Sequence, residues 1–184
     1  TPEFMRAHPE WRIKHADGSP DVAMDYAHEG VRAHRLAIFT ELVEKYDIDG
    51  LELDFMRSCR YFAPQEAEAN CGILTEFVGE IREMLDRVAA QRGRDRFILG
   101  IRTPPSLDEC PALGLDPGAW IKAGWIDYVA PSDFMWLDYL KAICKGTGIP
   151  FNNVVAVRLR GDEPSGLGRE MPVWSKGDEE DERK

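Results

Sequence analysis

The chain has 184 residues, is 43% hydrophobic and carries a net charge of −10 at pH 7. These are values of a globular domain able to bury a core, not of a disordered chain. The acidic balance excludes the basic face that a nucleic-acid backbone requires, and it weighs against an anionic membrane surface, so neutral ligands such as sugars stay open. The longest apolar runs fall far short of a membrane span, and the opening Thr1-Pro2-Glu3-Phe4 gives no basic-then-apolar leader.

Residues 1–27 show no clear period. With Pro2, Pro9, Pro20 and Gly18 they are expected to form a long loop, through which Phe4, Trp11 and Tyr26 are scattered. The spacing of Val31, Ile38, Phe39, Leu42, Val43 and Tyr46 predicts a helix over 29–46. Asp47-Ile48-Asp49-Gly50 breaks it, and Leu51-Glu52-Leu53-Asp54-Phe55 reads as the heart of a strand over 48–55. Residues 56–70 read as a second long loop. A helix over 72–91 follows, with Ile73, Leu74, Phe77, Val78, Ile81, Met84, Leu85 and Val88 on one stripe and Arg92-Gly93 as the stop.

Phe97-Ile98-Leu99-Gly100-Ile101-Arg102 is the next strand, ended by Pro104 and Pro105. Asp116 is a good N-cap, Pro117 suits the first helical position and Gly124 fits the stop of a short helix. Residues 125–130 form a third strand, 136–145 read as a helix, and Val154-Val155-Ala156-Val157 reads as a fourth strand. The highly charged end after it is expected to be disordered. Strands alternating with helices mean parallel βαβ units, with sites at the strand C-termini. Neither G-x-G-x-x-G nor G-x-x-x-x-G-K-[ST] follows a strand, which disfavours nucleotide-binding versions.

Side chains of a strand alternate between two faces. Leu51, Leu53 and Phe55 suit the helix side, which leaves Glu52 and Asp54 together on the other. Asp54 would stand near the C-terminal mouth with Glu52 a layer deeper. Two such carboxylates invite proton sharing and acid–base use; the alternative for Glu52 is a structural ion pair with an arginine. Arg102 occupies the matching place on the next strand, either holding substrate or pairing with Glu52 or Asp54. Asp133 is the natural second carboxylate for glycoside hydrolysis, and equally a helix N-cap. Arg57, Tyr61 and Trp136 flank these positions as candidate substrate contacts, the aromatics because their faces stack on sugar C–H faces. His8 is placed to reach the same mouth.

The histidines form no H-E-x-x-H set, so neither a metal nor a cofactor is expected. Cys59, Cys71, Cys110 and Cys144 contain no C-x-x-C pair and are read as ordinary thiols, with a Cys59–Cys71 bridge open on spacing.

The run Tyr46-Asp47-Ile48-Asp49-Gly50-Leu51-Glu52-Leu53-Asp54 resembles the Y-D-[VI]-D-G-[IL]-x-[LF]-D signature of glycoside-hydrolase-like barrels, especially the family-10-like group of bacterial secreted and periplasmic proteins. His8-Pro9-Glu10-Trp11, Gly100-Ile101-Arg102-Thr103-Pro104, Gly114-Leu115-Asp116 with Trp120, and the run from Ile126 to Asp133 resemble the same group, over about residues 4–150. The resemblance implies an α/β fold built of parallel βαβ units of a TIM-type (β/α)8 barrel, with the three strands as about the fourth to sixth. A full barrel of this kind needs about 250 residues, so residues 1–150 are expected to be a partial barrel and 151–184 a further strand and a charged tail.

The implied activity is hydrolysis of glycosidic bonds in an oligosaccharide or polysaccharide. One alternative is a non-catalytic carbohydrate-binding or scaffold fragment, and another is a barrel hydrolase with a non-sugar substrate. Open sheet edges would promote self-association.

Overall fold

The structure is a computed structural model that describes residues 3–56, 58–104 and 109–131, with Pro131 described by its backbone alone. Arg57, Asp133, Trp136 and Cys144 lie outside the described residues, as do the helix read over 136–145, the strand read over 154–157 and the charged tail.

The order is α1 (Glu3–Ala7), β1 (Arg12–Lys14), β2 (Pro20–Met24), α2 (Glu29–Lys45), β3 (Gly50–Asp54), α3 (Cys71–Gln91), β4 (Ile98–Thr103), α4 (Pro117–Lys122) and β5 (Tyr128–Pro131), with single 3-10 turns at Pro9–Trp11 and Pro111–Leu113. The strands β3, β4 and β5 form one parallel sheet in that order. Parallel neighbours need a long crossover; α3 supplies it between β3 and β4, and α4 between β4 and β5. Among the described residues the result is an open three-stranded α/β sheet, accompanied by an antiparallel β1–β2 hairpin. Among the described residues no helix is long and apolar enough to cross a membrane.

The three parallel strands and their order are those expected from the sequence, with later starts. The third begins at Tyr128 rather than at 125 because a side chain makes the first contact. The Asp127 carboxylate accepts the Leu99 N–H at 2.8 Å, while Asp127 N–H donates to the Leu99 carbonyl at 2.8 Å. Arg96 pairs with the same carboxylate at 3.1 Å.

Helix α3 carries the core. Leu74, Phe77, Val78, Ile81, Leu85 and Val88 are buried along one stripe, each stabilising the fold by about 1.5–3 kcal/mol relative to exposure. They pack against Leu53, Phe55, Leu99, Ile101 and Val129 on one face of the sheet. The chain then turns at Gly93, whose φ of 64° lies in the left-handed region that favours glycine.

Helix α2 is less buried than its pattern predicts. Val31 and Val43 are buried, but Leu42 and Tyr46 of the expected stripe are exposed. Among the described residues β3 has a neighbour on only one side, so part of the helix face has no described strand beneath it. Arg92, past the end of α3, donates to the Val43 and Tyr46 carbonyls at 2.7 and 3.0 Å, satisfying carbonyls at the C-terminal end of α2.

Residues 3–27 are more ordered than the expected loop. Asp17 accepts from the Ser19 amide and hydroxyl at 2.9 and 2.6 Å, and Gly18 has φ 81°, which closes the hairpin turn. Before it, His8 stacks on Trp11 at 3.8 Å and Phe4 on His34 at 3.6 Å. The buried Asp21 carboxylate joins this region to the loop after β3 by accepting from Arg60 Nη1 at 2.7 and 2.8 Å. Cys59 in that loop and Cys71 at the start of α3 are free thiols, so the bridge left open by their spacing is not formed.

Candidate functional site

The face of the sheet away from the helices is polar and open. Glu52, Asp54, Ile98 and Arg102 are exposed on it, whereas Leu53, Leu99 and Ile101, one residue out of phase, are buried. Asp54 and Arg102 are cross-strand partners in the β3–β4 register. Arg102 Nη1 donates to Asp54 Oδ2 at 3.3 Å, and the Met56 N–H donates to Asp54 Oδ1 at 2.8 Å. The Asp54 and Arg102 side chains are 37% and 45% exposed, so the pair is accessible to a ligand, and its own attraction is weakened by solvent.

Glu52 departs from expectation. It is exposed rather than buried deep, and the described residues give it no arginine partner. Instead the Tyr128 hydroxyl donates to Glu52 Oε2 at 2.8 Å. Tyr128 stands on β5, two strands away, and crosses β4 over Gly100, its register partner. A Cβ at position 100 would stand inside the tyrosine ring. The gap left by Gly100 therefore holds the Tyr128 ring. Burial, then the hydrogen bond to Glu52 and its charge, push the Tyr128 phenol up to about 12. Tyr128 was not singled out from the sequence. Its signal was present, because a tyrosine in register with a glycine on the next strand can lean across it.

Tyr61 is 8% exposed, in the core. Its hydroxyl donates to the Phe55 carbonyl at 2.6 Å, its ring meets Phe55 edge-on, and burial pushes its phenol up. It braces the chain just past β3 and offers no open ring face. His8 is held by Trp11 and by Glu10 Oε1 at 3.2 Å; among the described residues no hydrogen bond joins it to Asp54, Glu52 or Arg102. The structure thus brings together Glu52, Asp54, Arg102 and Tyr128. It places His8 in the N-terminal aromatic stack and Tyr61 beneath the mouth.

A cavity of about 170 Å³ opens beside β3, walled by Phe39, Leu53, Phe55, Leu74 and Phe77, with Glu52 and Asp54 also lining it. Among the described residues no three His, Cys, Asp or Glu side chains gather as a metal-binding set. Chemically, the face offers two carboxylates, each with its own donor: a guanidinium on one and a phenol on the other. Such groups accept hydrogen bonds from hydroxyl-rich ligands and, when a substrate displaces the donor, can take or give a proton. Comparison with protein-family models and with curated proteins found no match to this chain.

Proposed function

We propose that the polar face of the parallel sheet binds an oligosaccharide or polysaccharide and that the chain is a glycoside hydrolase, or the central piece of one, in a TIM-type barrel. The observation that carries this reading is Asp54, exposed at the C-terminal end of a parallel strand and backed by Arg102. The likeness of residues 46–54 to the signature of family-10-like glycoside-hydrolase barrels supports it. Asp54 acts as a carboxylate at the scissile bond, Arg102 orients it and Glu52 contributes a second acidic group with Tyr128 as its donor. Asp133 is the further acid of this proposal, and Arg57 and Trp136 its further sugar contacts.

A second reading is a carbohydrate-binding fragment without catalysis. It is favoured by the engagement of both carboxylates, since Asp54 already has an arginine and Glu52 a tyrosine. One experiment separates the two. Release of reducing ends is measured on a panel of polysaccharides for the parent chain and for Asp54→Asn, with affinity electrophoresis on the same sugars. Cleavage by the parent that Asp54→Asn abolishes supports the enzyme. Retarded migration without cleavage supports the binding fragment. Neither cleavage nor retardation sinks both.

A further inference from the structure

We infer that Tyr128 is a positioning residue for the proposed carboxylate site: by holding Glu52 it reserves Arg102 for Asp54. The pairing stands on contacts within β3, β4 and β5 alone. Only its effect on turnover rests on the glycosidase reading.

The polar face sets one guanidinium within reach of two carboxylates. Glu52 and Asp54 stand on the same side of β3, two residues apart. Arg102 is the direct register partner of Asp54, and Gly100, two residues before it, is the partner of Glu52. Arg102 and Glu52 are thus diagonal neighbours, a separation that long side chains span. Glutamate is the longer of the two acids, which helps it to reach along the strand. The Asp54–Arg102 contact is 3.3 Å long, with both side chains more than a third exposed, so solvent leaves little to choose between the two acids. The ion pair does not by itself fix its own partner.

The phenol makes the choice. Tyr128 is in register with Gly100 and lays its ring over it, in the space that a Cβ there would take. From that place its hydroxyl donates to Glu52 Oε2 at 2.8 Å. A hydrogen bond to an ionised acceptor is stronger than one between neutral groups, so Glu52 is held at the level of Gly100, one step short of Arg102. On the next level the Met56 N–H donates to Asp54 Oδ1 at 2.8 Å, which leaves Oδ2 to Arg102. The two acids are sorted in this way, one to a cation and the other to a neutral donor.

The test compares crystal structures of the parent chain, Tyr128→Phe, Glu52→Gln and the double variant Tyr128→Phe/Glu52→Gln. Phenylalanine keeps the ring over Gly100 and removes only the donor. In Tyr128→Phe, Arg102 is expected to turn to Glu52 or to divide between the two acids. In the double variant glutamine carries no charge to draw it, so Arg102 should return to Asp54; Glu52→Gln alone should leave it there. A phenol that merely stiffened the sheet would lower the melting temperature of Tyr128→Phe without moving Arg102. Kinetics give the second readout. On a polysaccharide that the parent cleaves, Tyr128→Phe should lower kcat about tenfold, within what a small misplacement costs, with KM nearly unchanged.

The inference is overturned if Arg102 rests on Glu52 in the parent, stays on Asp54 in Tyr128→Phe, or leaves both acids there. A shift that the double variant fails to reverse overturns it as well, and so does a full shift with kcat unchanged. A parent that cleaves no polysaccharide removes the glycosidase reading instead; the partner that Arg102 takes in the four structures then still decides whether the phenol sorts the acids.

Discussion

At Asp54 one atom decides between a catalytic carboxylate and an ordinary surface ion pair. Asp54→Asn keeps the shape and the contact with Met56 but removes the charge and the titrating proton. Under the proposed function, turnover on a cleaved polysaccharide should fall by about 10²–10⁴, with the melting temperature nearly unchanged because the Arg102 pair is exposed; kinetics and thermal unfolding of the same preparation check both. Glu52→Gln addresses the other carboxylate. Without that charge the Tyr128 phenol should ionise below its value of about 12 and closer to its ordinary 10.0, which ultraviolet difference titration reads directly.

Asp21 makes a third case. Burial pushes its carboxyl up, but the Ala23 amide and the Arg60 guanidinium outweigh burial and hold it below the ordinary 3.8. A carboxyl depressed in the folded state stabilises above its unfolded value, and that contribution is lost as pH falls through the folded one. Arg60→Ala should cost about 1–2 kcal/mol at neutral pH, since half of the arginine is exposed. It should also move the onset of acid unfolding to higher pH, visible in a denaturant series at falling pH.

Among the elements, the regular ones were legible and the locally built ones were not. The stripe of α3 repeats at helical spacing over 21 residues, so its position and buried face follow from periodicity alone. The phase of β3 and β4 was equally readable, because Leu53, Leu99 and Ile101 alternate with Glu52, Gly100 and Arg102. The hairpin was missed because β1 has three residues and pairs with an irregular register. Its one sign, Asp17-Gly18 between the two short strands, is a local turn signal. Partners two strands apart escape as well: for Glu52 the sequence leaves acid–base use and an ion pair with an arginine open, whereas the register supplies a tyrosine.

The short helix α4 shows a cap that sequence did reveal. Asp116 Oδ1 accepts the Ala119 N–H at 2.8 Å, with Pro117 next in the helix. Six residues cannot hold a helix unaided, so Asp116→Ala should cost about 1 kcal/mol. A drop in melting temperature should accompany it, while Trp120, buried and bonded to Thr75 at 3.0 Å, keeps the segment docked.

For the molecule as a whole, stability should be lost on the alkaline side. Burial pushes up the thiols of Cys59, Cys71 and Cys110 from 9.0, and burial leads the rise of Tyr61 and Tyr128 from 10.0. The unfolded chain therefore releases these protons before the folded one does. Their contribution is full below about pH 9 and declines as pH rises through the folded values, about 12 for Cys110 and Tyr128. Melting temperatures measured from about pH 8 to about pH 11 should fall steadily over the upper part of that range. A flat profile would mean that these groups are as exposed in the folded chain as in the unfolded one.

The crossing of Tyr128 over Gly100 also binds two positions into a single heritable unit. Any side chain at 100 evicts the tyrosine ring, and removing the tyrosine leaves a hollow that a larger residue at 100 could fill. Either change alone passes through a less fit intermediate, so descendants of this sequence should alter both positions or neither. Gly100→Ala combined with Tyr128→Ala should accordingly be more stable than Gly100→Ala alone, an epistasis that a double-mutant cycle measures. Glu52, which loses its phenol donor in that double variant, would then be the position freed to change next.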